Sequence, residues 1–278
     1  MANPMPLIDS HIHLWPESEL ETLAWYTTDS PLGGRRSVEE FRSTTGSDIN
    51  LKGFVFIEAD RKNDESKDWT APLQEVDWVR RIAAGQPKEG EGHSADDAKL
   101  CLAIIPWAPV VLGVDQLEKY ITAVENAAGP AWNKVKGFRY LLQDKPNGTA
   151  LGDDFIAGLK LLGRKGLVFD VGVDQHRRGR LQLEELVEMI DRAHDGVEED
   201  EKVVLILSTN RPIPAQIKSP FTTRATTNKS HRSSLQTRLD YSQPDGPFLH
   251  CMAHRYVYSE QVQSYIHEVK RLFRRDAR

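Results

Sequence analysis

The sequence predicts an α/β protein built on parallel strands, and three observations support that fold class. Up to residue 207, short apolar runs alternate with longer amphipathic stretches, which is the order of strands and helices in β/α repeats. The apolar runs are rich in Val, Ile, Leu and Phe, as expected for parallel strands that are buried on both faces. The chain has 278 residues, and a single β/α barrel needs roughly 250, so one barrel fits the length.

Each element is predicted from its own apolar pattern. The strands are predicted at residues 6–14, 53–59, 100–106, 135–140, 167–173 and 203–207. The helices are predicted at residues 72–84, 114–127, 153–162 and 181–193, where apolar residues recur every three or four positions and share one helix face. No such period is present in the long segment that joins the first two strands, or in the polar segment 85–98, so we expect both to be irregular.

Composition and charge exclude several classes of protein. The chain is 39% hydrophobic with a net charge of −5, which allows a sizeable core and argues against nucleic acid as the main partner. No apolar run approaches the roughly 20 residues of a membrane span, and the first residues lack the pattern of a signal peptide. With 2 cysteines no disulfide framework is expected, so we predict a cytoplasmic protein. Because no apolar run is long enough to span a membrane, we predict no membrane partner. The oligomeric state stays open.

Two histidines at the end of the first predicted strand form the first candidate site. Residues two apart on a strand point to the same face, so His11 and His13 direct two imidazoles to one point and could bind one divalent ion. An isolated pair of this kind is more often two satisfied or surface histidines. In a barrel, however, catalytic groups lie at the carboxyl ends of the strands, and that position favours the metal interpretation.

Polar residues also end the fourth and fifth predicted strands. Arg139 offers a planar fork of donors for a carboxylate, a hydroxyl or a developing oxyanion; the alternative is an ion pair with Asp144 or Asp170. Asp174 and His176 follow the fifth strand and are the better placed candidates for catalysis. We expect Asp170, inside that strand, to be structural.

Glu58 ends the second predicted strand and is a candidate for substrate binding. Its carboxylate could orient a histidine or accept hydrogen bonds from substrate hydroxyls. The alternative is a carboxylate at the barrel rim that is paired with Arg61 or Lys62. The sequence alone leaves both interpretations open.

Five segments together resemble a known family: IDSHIHLW, VFIEAD, PLQEVDWV, KVKGFRYLLQDKP and LVFDVGVDQH. They are similar to the amidohydrolase-related (amidohydrolase-2) family of the metal-dependent hydrolase superfamily. Within it, they most resemble fungal sugar lactonases of the L-rhamnono-γ-lactonase type. The resemblance covers residues 5–207, about three quarters of the chain.

This resemblance implies both fold and chemistry. It implies a TIM-like (β/α)8 barrel that hydrolyses a sugar-acid γ-lactone with activated water. It places His11 and His13 at a centre for a divalent metal, with Zn²⁺ the expected ion, although some relatives work without a metal. It also implies a histidine after the fifth strand, for which His176 is the candidate, and a carboxylate after the eighth strand as general base. The partner expected is therefore a small molecule, a lactone or a related acid.

The sequence after residue 207 departs from this pattern. Residues 209–278 contain 12 Lys and Arg against 5 Asp and Glu, a local charge of +7, and they lack strand periodicity. We therefore predict a barrel domain at 1–207 with about six β/α units, and a Ser/Thr-rich basic tail at 208–278 that is poorly ordered. We infer a shifted reading frame as the cause of this composition, and the alternative is a genuine basic tail.

The sequence is compatible with three functional interpretations. Because no strand-eight carboxylate can be recognised, the activity of this particular chain is an open question. One alternative to lactone hydrolysis is metal-dependent non-oxidative decarboxylation, which occurs in the same family and also uses a metal beside a carboxylate substrate. The other is a catalytically impaired barrel that only binds its ligand.

Overall fold

A computed structural model describes residues 6–45 and 49–209 of the chain, and for Pro6, Gln175, His176, Ser208 and Thr209 it describes only the backbone. The strands are β1 (Pro6–Ile12), β2 (Asn50–Ile57), β3 (Cys101–Ile105), β4 (Gly137–Leu141), β5 (Val168–Val173) and β6 (Leu205–Thr209). The helices are α1 (Val38–Thr45), α2 (Thr70–Ala84), α3 (Val114–Ala128), α4 (Asp153–Arg164) and α5 (Gln175–His194). The predicted α/β class, the six strands and the four helices are confirmed.

Most predicted boundaries are shifted by one to three residues, and three differences need separate mention. Helix α1 lies in the segment between β1 and β2, which was expected to be irregular. Helix α5 begins before the predicted residue 181, but Gly179 inside it has a positive φ of 72°, so the regular apolar period starts only after this kink. Strand β6 ends at Thr209, two residues beyond the predicted end, and the rest of the predicted tail lies outside the described residues.

The strands form two parallel three-stranded sheets, in the orders β1-β2-β3 and β4-β5-β6. Two isolated parallel bridges, Ile104 with Val135 and Trp107 with Arg139, join the sheets between β3 and β4. The six strands therefore follow one another in chain order. Within residues 6–45 and 49–209 they do not close into a barrel, so the eight-stranded form is not observed in this part of the chain.

The six-stranded surface is strongly curved. Strands β1 and β5 are four positions apart, which in a flat sheet separates them by roughly 19 Å. Yet His11 Nδ1 on β1 lies 3.8 Å from Asp170 Oδ2 on β5. The concave side of the sheets therefore encloses a shared interior, into which the polar side chains of β1 and β5 both point.

The helices cover the sheets and bury one continuous apolar core. It includes Phe56 of β2, Trp78 of α2, Phe138 of β4 and Phe169 of β5, all fully buried. Close contact between β4 and β5 requires a residue without a side chain at Gly137, because a Cβ there would lie 2.0 Å from the carbonyl oxygen of Val168. None of the described helices is long and apolar enough to cross a membrane.

Candidate active site

The strand ends bring five polar side chains into one buried cluster. His11 lies in β1 and His13 directly after it, Glu58 follows β2, Arg139 lies in β4, and Asp170 lies in β5. All but the half-buried His13 are at most 5% exposed. Four of these residues are predicted site residues, and the structure brings them together at the carboxyl ends of the strands.

The two histidines face each other through their Nε2 atoms, which are 3.2 Å apart. His13 Nδ1 lies 2.7 Å from the carbonyl oxygen of Glu58, so it must donate, since a carbonyl can only accept. Burial, and then the charge of Arg139, lower the pKa of His13 to about 4. His13 is therefore neutral at pH 7, with its lone pair on Nε2 facing His11.

Asp170 links His11 to Arg139. One of its carboxylate oxygens lies 3.8 Å from His11 Nδ1, and the other lies 3.2 Å from Arg139 Nε. Arg139 and Asp170 are direct partners in the β4–β5 register, which holds the two side chains next to each other. The ion-pair alternative for Arg139 is therefore confirmed with Asp170 as its partner. Asp144 contacts Arg177 instead.

Arg139 keeps much of its hydrogen-bonding capacity. Its Nε also lies 3.6 Å from Glu58 Oε1, but the guanidinium forms no hydrogen bond with the described residues. It packs over Gly172, where a Cβ would lie 3.0 Å from Arg139 Nη2. A buried cation with open donors can bind an anionic or developing negative charge.

Glu58 is a carboxyl group in an apolar setting. Its Oε2 accepts a hydrogen bond of 2.5 Å from the backbone N–H of Asp60, whereas Oε1 is buried without a hydrogen bond to any described residue. Burial raises the pKa of Glu58 to about 8, although Arg139 opposes the shift. The group therefore carries a proton over much of the neutral range. The alternative pairing with Arg61 or Lys62 is wrong, because Arg61 pairs with Glu19 and Glu75.

The other two predicted catalytic residues lie beyond β5. Asp174 is 7% exposed, and its carboxylate accepts a hydrogen bond of 2.6 Å from Arg177 Nε. Its backbone N–H donates to Gln182 Oε1. His176 lies in the first turn of α5, and its side chain is outside the described part of the structure. The catalytic roles of both residues stay predictions.

Asp170 is the site residue that sequence reasoning missed, because it was expected to be structural. The sequence feature that could have revealed Asp170 is its position as a lone carboxylate in the apolar strand β5, where its neighbours Phe169 and Val171 are fully buried. A buried charge requires a partner. That partner could be sought among the residues at the same level of β4, which is where Arg139 lies.

The two histidines fit a divalent metal ion in part. Two nitrogens bound to one tetrahedral Zn²⁺ at about 2.05 Å would lie about 3.3 Å apart, close to the Nε2 separation of 3.2 Å. Ligand histidines usually direct their other nitrogen to a carbonyl or a carboxylate, as His13 and His11 do with Glu58 and Asp170. Among the described residues, however, no group of three His, Cys, Asp or Glu side chains could hold a metal ion.

The chain is similar in sequence to a curated sugar lactonase, the type of protein that its motifs resemble. The particular relative is the L-rhamnono-gamma-lactonase of Scheffersomyces stipitis, 33% identical over 191 residues. The alignment covers 67% of this chain and 56% of the relative, so the chain spans little more than half the length of that protein. No family model matches the chain.

Solved amidohydrolases show weaker similarity to the described structure. Amidohydrolase 2 from Bifidobacterium longum subsp. infantis aligns with a TM-score of 0.49 and 18% identity, covering 77% of each chain. An amidohydrolase from Burkholderia multivorans with bound zinc aligns with a TM-score of 0.41 and 18% identity, covering 70% of this chain and 74% of that one.

Proposed function

We propose that this protein hydrolyses a sugar-acid γ-lactone. The observation that carries the proposal is the buried cluster at the strand ends, where Arg139 with open donors and the proton-bearing Glu58 lie beside His11 and His13. The lactonase relative supports this substrate class. We further propose that the six strands are the first six units of a (β/α)8 barrel, because their order and curvature are those of a barrel wall.

Arg139 is the group best suited to the developing oxyanion. When water attacks the lactone carbonyl carbon, it passes a proton to a base, for which we propose Asp174, and negative charge builds up on the carbonyl oxygen. The buried guanidinium can donate to that oxygen without prior solvent reorganisation. Asp170 fixes the guanidinium through its contact with Nε, so the arginine is already oriented before the substrate arrives.

Glu58 is the group best suited to the leaving alkoxide. Ring opening breaks the bond between the carbonyl carbon and the ring oxygen, and that oxygen needs a proton. Since the pKa of Glu58 is about 8, the carboxyl group is protonated at neutral pH, and its free atom Oε1 is where the proton can be donated. The raised pKa therefore matches the role of a general acid.

His11 and His13 would hold a divalent metal ion, with Zn²⁺ the proposed ion. Such an ion supplies a polarised carbonyl and a bound water with a pKa of about 7. Asp170 and the carbonyl of Glu58 orient the two imidazoles whether or not an ion is bound. Asp174 and His176 are proposed as further catalytic groups.

The cellular setting is also part of the proposal. The proposed partner is a small, polar substrate, and the net charge of −5 argues against nucleic acid as a partner. A cytoplasmic location is supported by the two cysteines of the chain, of which Cys101 is a buried free thiol. Burial raises the pKa of Cys101 to about 12, so it is an inert packing residue.

The test is hydrolysis of a panel of aldono-γ-lactones, followed through proton release with a pH indicator. We expect turnover above the spontaneous rate for at least one lactone. In Glu58→Gln, kcat should fall by about 10²–10⁴-fold, since the variant keeps the shape of the side chain and loses its proton. Glu118→Gln, at an exposed position of α3, is the matched control and should retain the activity.

Each other outcome contradicts the proposal in a different way. If no aldonolactone is opened faster than in buffer, the protein is not a lactonase. Binding of lactones without turnover would then support the impaired barrel. Release of carbon dioxide from a carboxylic acid would support the decarboxylase. If Glu58→Gln retains full activity, hydrolysis takes place without the general acid described above.

A further inference from the structure

A polar cleft of about 480 Å³ lies at the loop that follows Glu58, and none of the five cluster residues lines it. It is lined by residues 60–65, which follow β2, together with Ala24 and Lys145. Its volume is within the range of pockets for small molecules, roughly 300–1,000 Å³. Asp60 connects the two regions, because its backbone N–H donates to Glu58 Oε2. The Asp60 carboxylate also lies close enough to Arg139 for their charges to interact, so a lactone bound at the cluster could extend towards Asp60.

The cations that line the cleft are already held by other groups. Arg61 Nε donates to Glu75 Oε1 at 2.9 Å. Lys62 Nζ donates to the carbonyl oxygen of Glu21 at 2.8 Å. Lys145 Nζ lies 2.5 Å from Glu65 Oε1. Arg61 and Lys145 are therefore paired with carboxylates, whereas the exposed Lys62 has a neutral carbonyl oxygen as its partner.

The other polar side chains of the loop are also engaged. Asn63 Oδ1 accepts a hydrogen bond from the backbone N–H of Glu65 at 3.1 Å. Asp64 Oδ1 accepts from the backbone N–H groups of Lys67 and Asp68, both at 2.6 Å. Glu65 itself accepts from Tyr140 Oη at 2.6 Å. These side chains build the loop, so their hydrogen-bonding capacity is largely used.

Asp60 is different. No residue in the described part of the chain forms a hydrogen bond or an ion pair with its carboxylate. The side chain is half-buried and lines the cleft, so its two oxygens are open acceptors. Burial raises the pKa of Asp60, while the charges of Arg139 and Lys145 lower it.

The backbone holds Asp60 in an unusual conformation. Its φ is +58°, in the left-handed region that residues other than glycine rarely adopt. The backbone N–H is bound by Glu58, and the carbonyl oxygen accepts a hydrogen bond from Ala24 N–H at 2.8 Å. Strain of this kind persists only where surrounding contacts impose it, and it is frequent at ligand sites. It fixes the direction of the Asp60 side chain.

We propose that Asp60 determines substrate specificity by accepting hydrogen bonds from hydroxyl groups of a neutral, polyhydroxylated lactone that extends into the cleft. The inference rests on the proposed lactonase function and names its substrate class. Two open carboxylate oxygens accept two hydroxyl donors, which suits neighbouring hydroxyls of a sugar. The same charge disfavours a carboxylate placed directly beside Asp60.

The experiment compares L-rhamnono-γ-lactone with γ-butyrolactone, which has the ring but no hydroxyls. In Asp60→Asn, the ratio of kcat/KM for the two lactones should fall at least tenfold, mainly through a higher KM for the hydroxylated substrate. Asn tolerates the left-handed conformation, so the loop should keep its shape. Asp115→Asn, on the exposed first turn of α3, is the control and should leave the ratio unchanged.

A second measurement requires no turnover. Calorimetric binding of the sugar alcohol rhamnitol should be at least tenfold weaker in Asp60→Asn than in the original chain. An unchanged kcat/KM ratio together with unchanged rhamnitol affinity would overturn the role of Asp60. If neither lactone is hydrolysed, the lactonase proposal fails, and rhamnitol binding alone then decides whether the cleft recognises hydroxyl groups through Asp60.

Discussion

Arg61 is the cation of a buried ion cluster with Glu19 and Glu75, and its replacement by Met should strongly destabilise the fold. Arg61 and Glu75 are each 1% exposed, and Glu19 is 4% exposed. Arg61 Nε lies 2.9 Å from Glu75 Oε1, and Nη2 lies 3.1 Å from Glu19 Oε2. Arg61→Met would leave two carboxylates buried without a cation, which typically costs about 3–5 kcal/mol.

The loss should depend on pH, because the carboxyl groups can bind protons instead. Protonating one Glu of ordinary pKa costs about 3.7 kcal/mol at pH 7 but only about 1 kcal/mol at pH 5. Burial already raises the pKa of Glu19 and Glu75 in the original protein, and Arg61 opposes this shift. Without Arg61 both pKa values rise further. The destabilisation should therefore shrink by about 2 kcal/mol or more between pH 7 and pH 5.

Urea unfolding of both proteins at pH 7 and pH 5, followed by tryptophan fluorescence, measures this effect. Arg80→Met is the control, because Arg80 pairs with the exposed Asp77 on the outer side of α2 and should contribute less than about 1 kcal/mol. A loss below about 1 kcal/mol for Arg61→Met at pH 7 would refute the reasoning, since buried carboxylates without a cation cost more than that. An equal loss at both pH values would refute the protonation argument.

Two further predictions concern stability. Glu19→Gln removes one buried carboxyl group whose pKa is raised in the folded state, and such a group destabilises the fold as pH rises above its ordinary pKa. In urea unfolding, the stability of this variant should therefore decrease less from pH 5 to pH 8 than that of the original chain. An identical decrease would contradict this prediction. Gly137→Ala should destabilise the fold by about 1–3 kcal/mol or more and lower the thermal midpoint, because the new Cβ would lie 2.0 Å from the carbonyl oxygen of Val168. An unchanged midpoint in calorimetry would show that β4 and β5 can separate without cost.

The elements of the fold could be predicted because their signals are local. A strand or a helix is recognised from the spacing of apolar residues within about ten positions, and strands β1 to β6 all carry that spacing. Helix α1 was missed because it is short and buries only Val38, so its apolar period is weak. The boundaries of α5 were blurred by Gly179, whose backbone conformation is not apparent from composition.

The candidate site was predictable in part for the same reason. His11, His13, Glu58 and Arg139 follow or end apolar runs, and parallel strands place such residues at one edge of a sheet. The expectation of a metal arose from the two-residue spacing of the histidines, which is also a local feature. The interpretation of Asp170 as structural was incomplete, because its contact with His11 joins residues 159 positions apart in the chain.

The sequence by itself therefore determined which side chains reach the carboxyl end of the sheet, since strand direction and side-chain alternation are properties of short segments. Only the tertiary structure decided which of them meet. Curvature of the sheets brings β1 to β5, burial among apolar neighbours keeps a proton on Glu58, and Asp60 keeps open acceptors because the polar groups around it are bound elsewhere. These outcomes depend on distances and on solvent exclusion across the whole fold, which no local pattern of residues encodes.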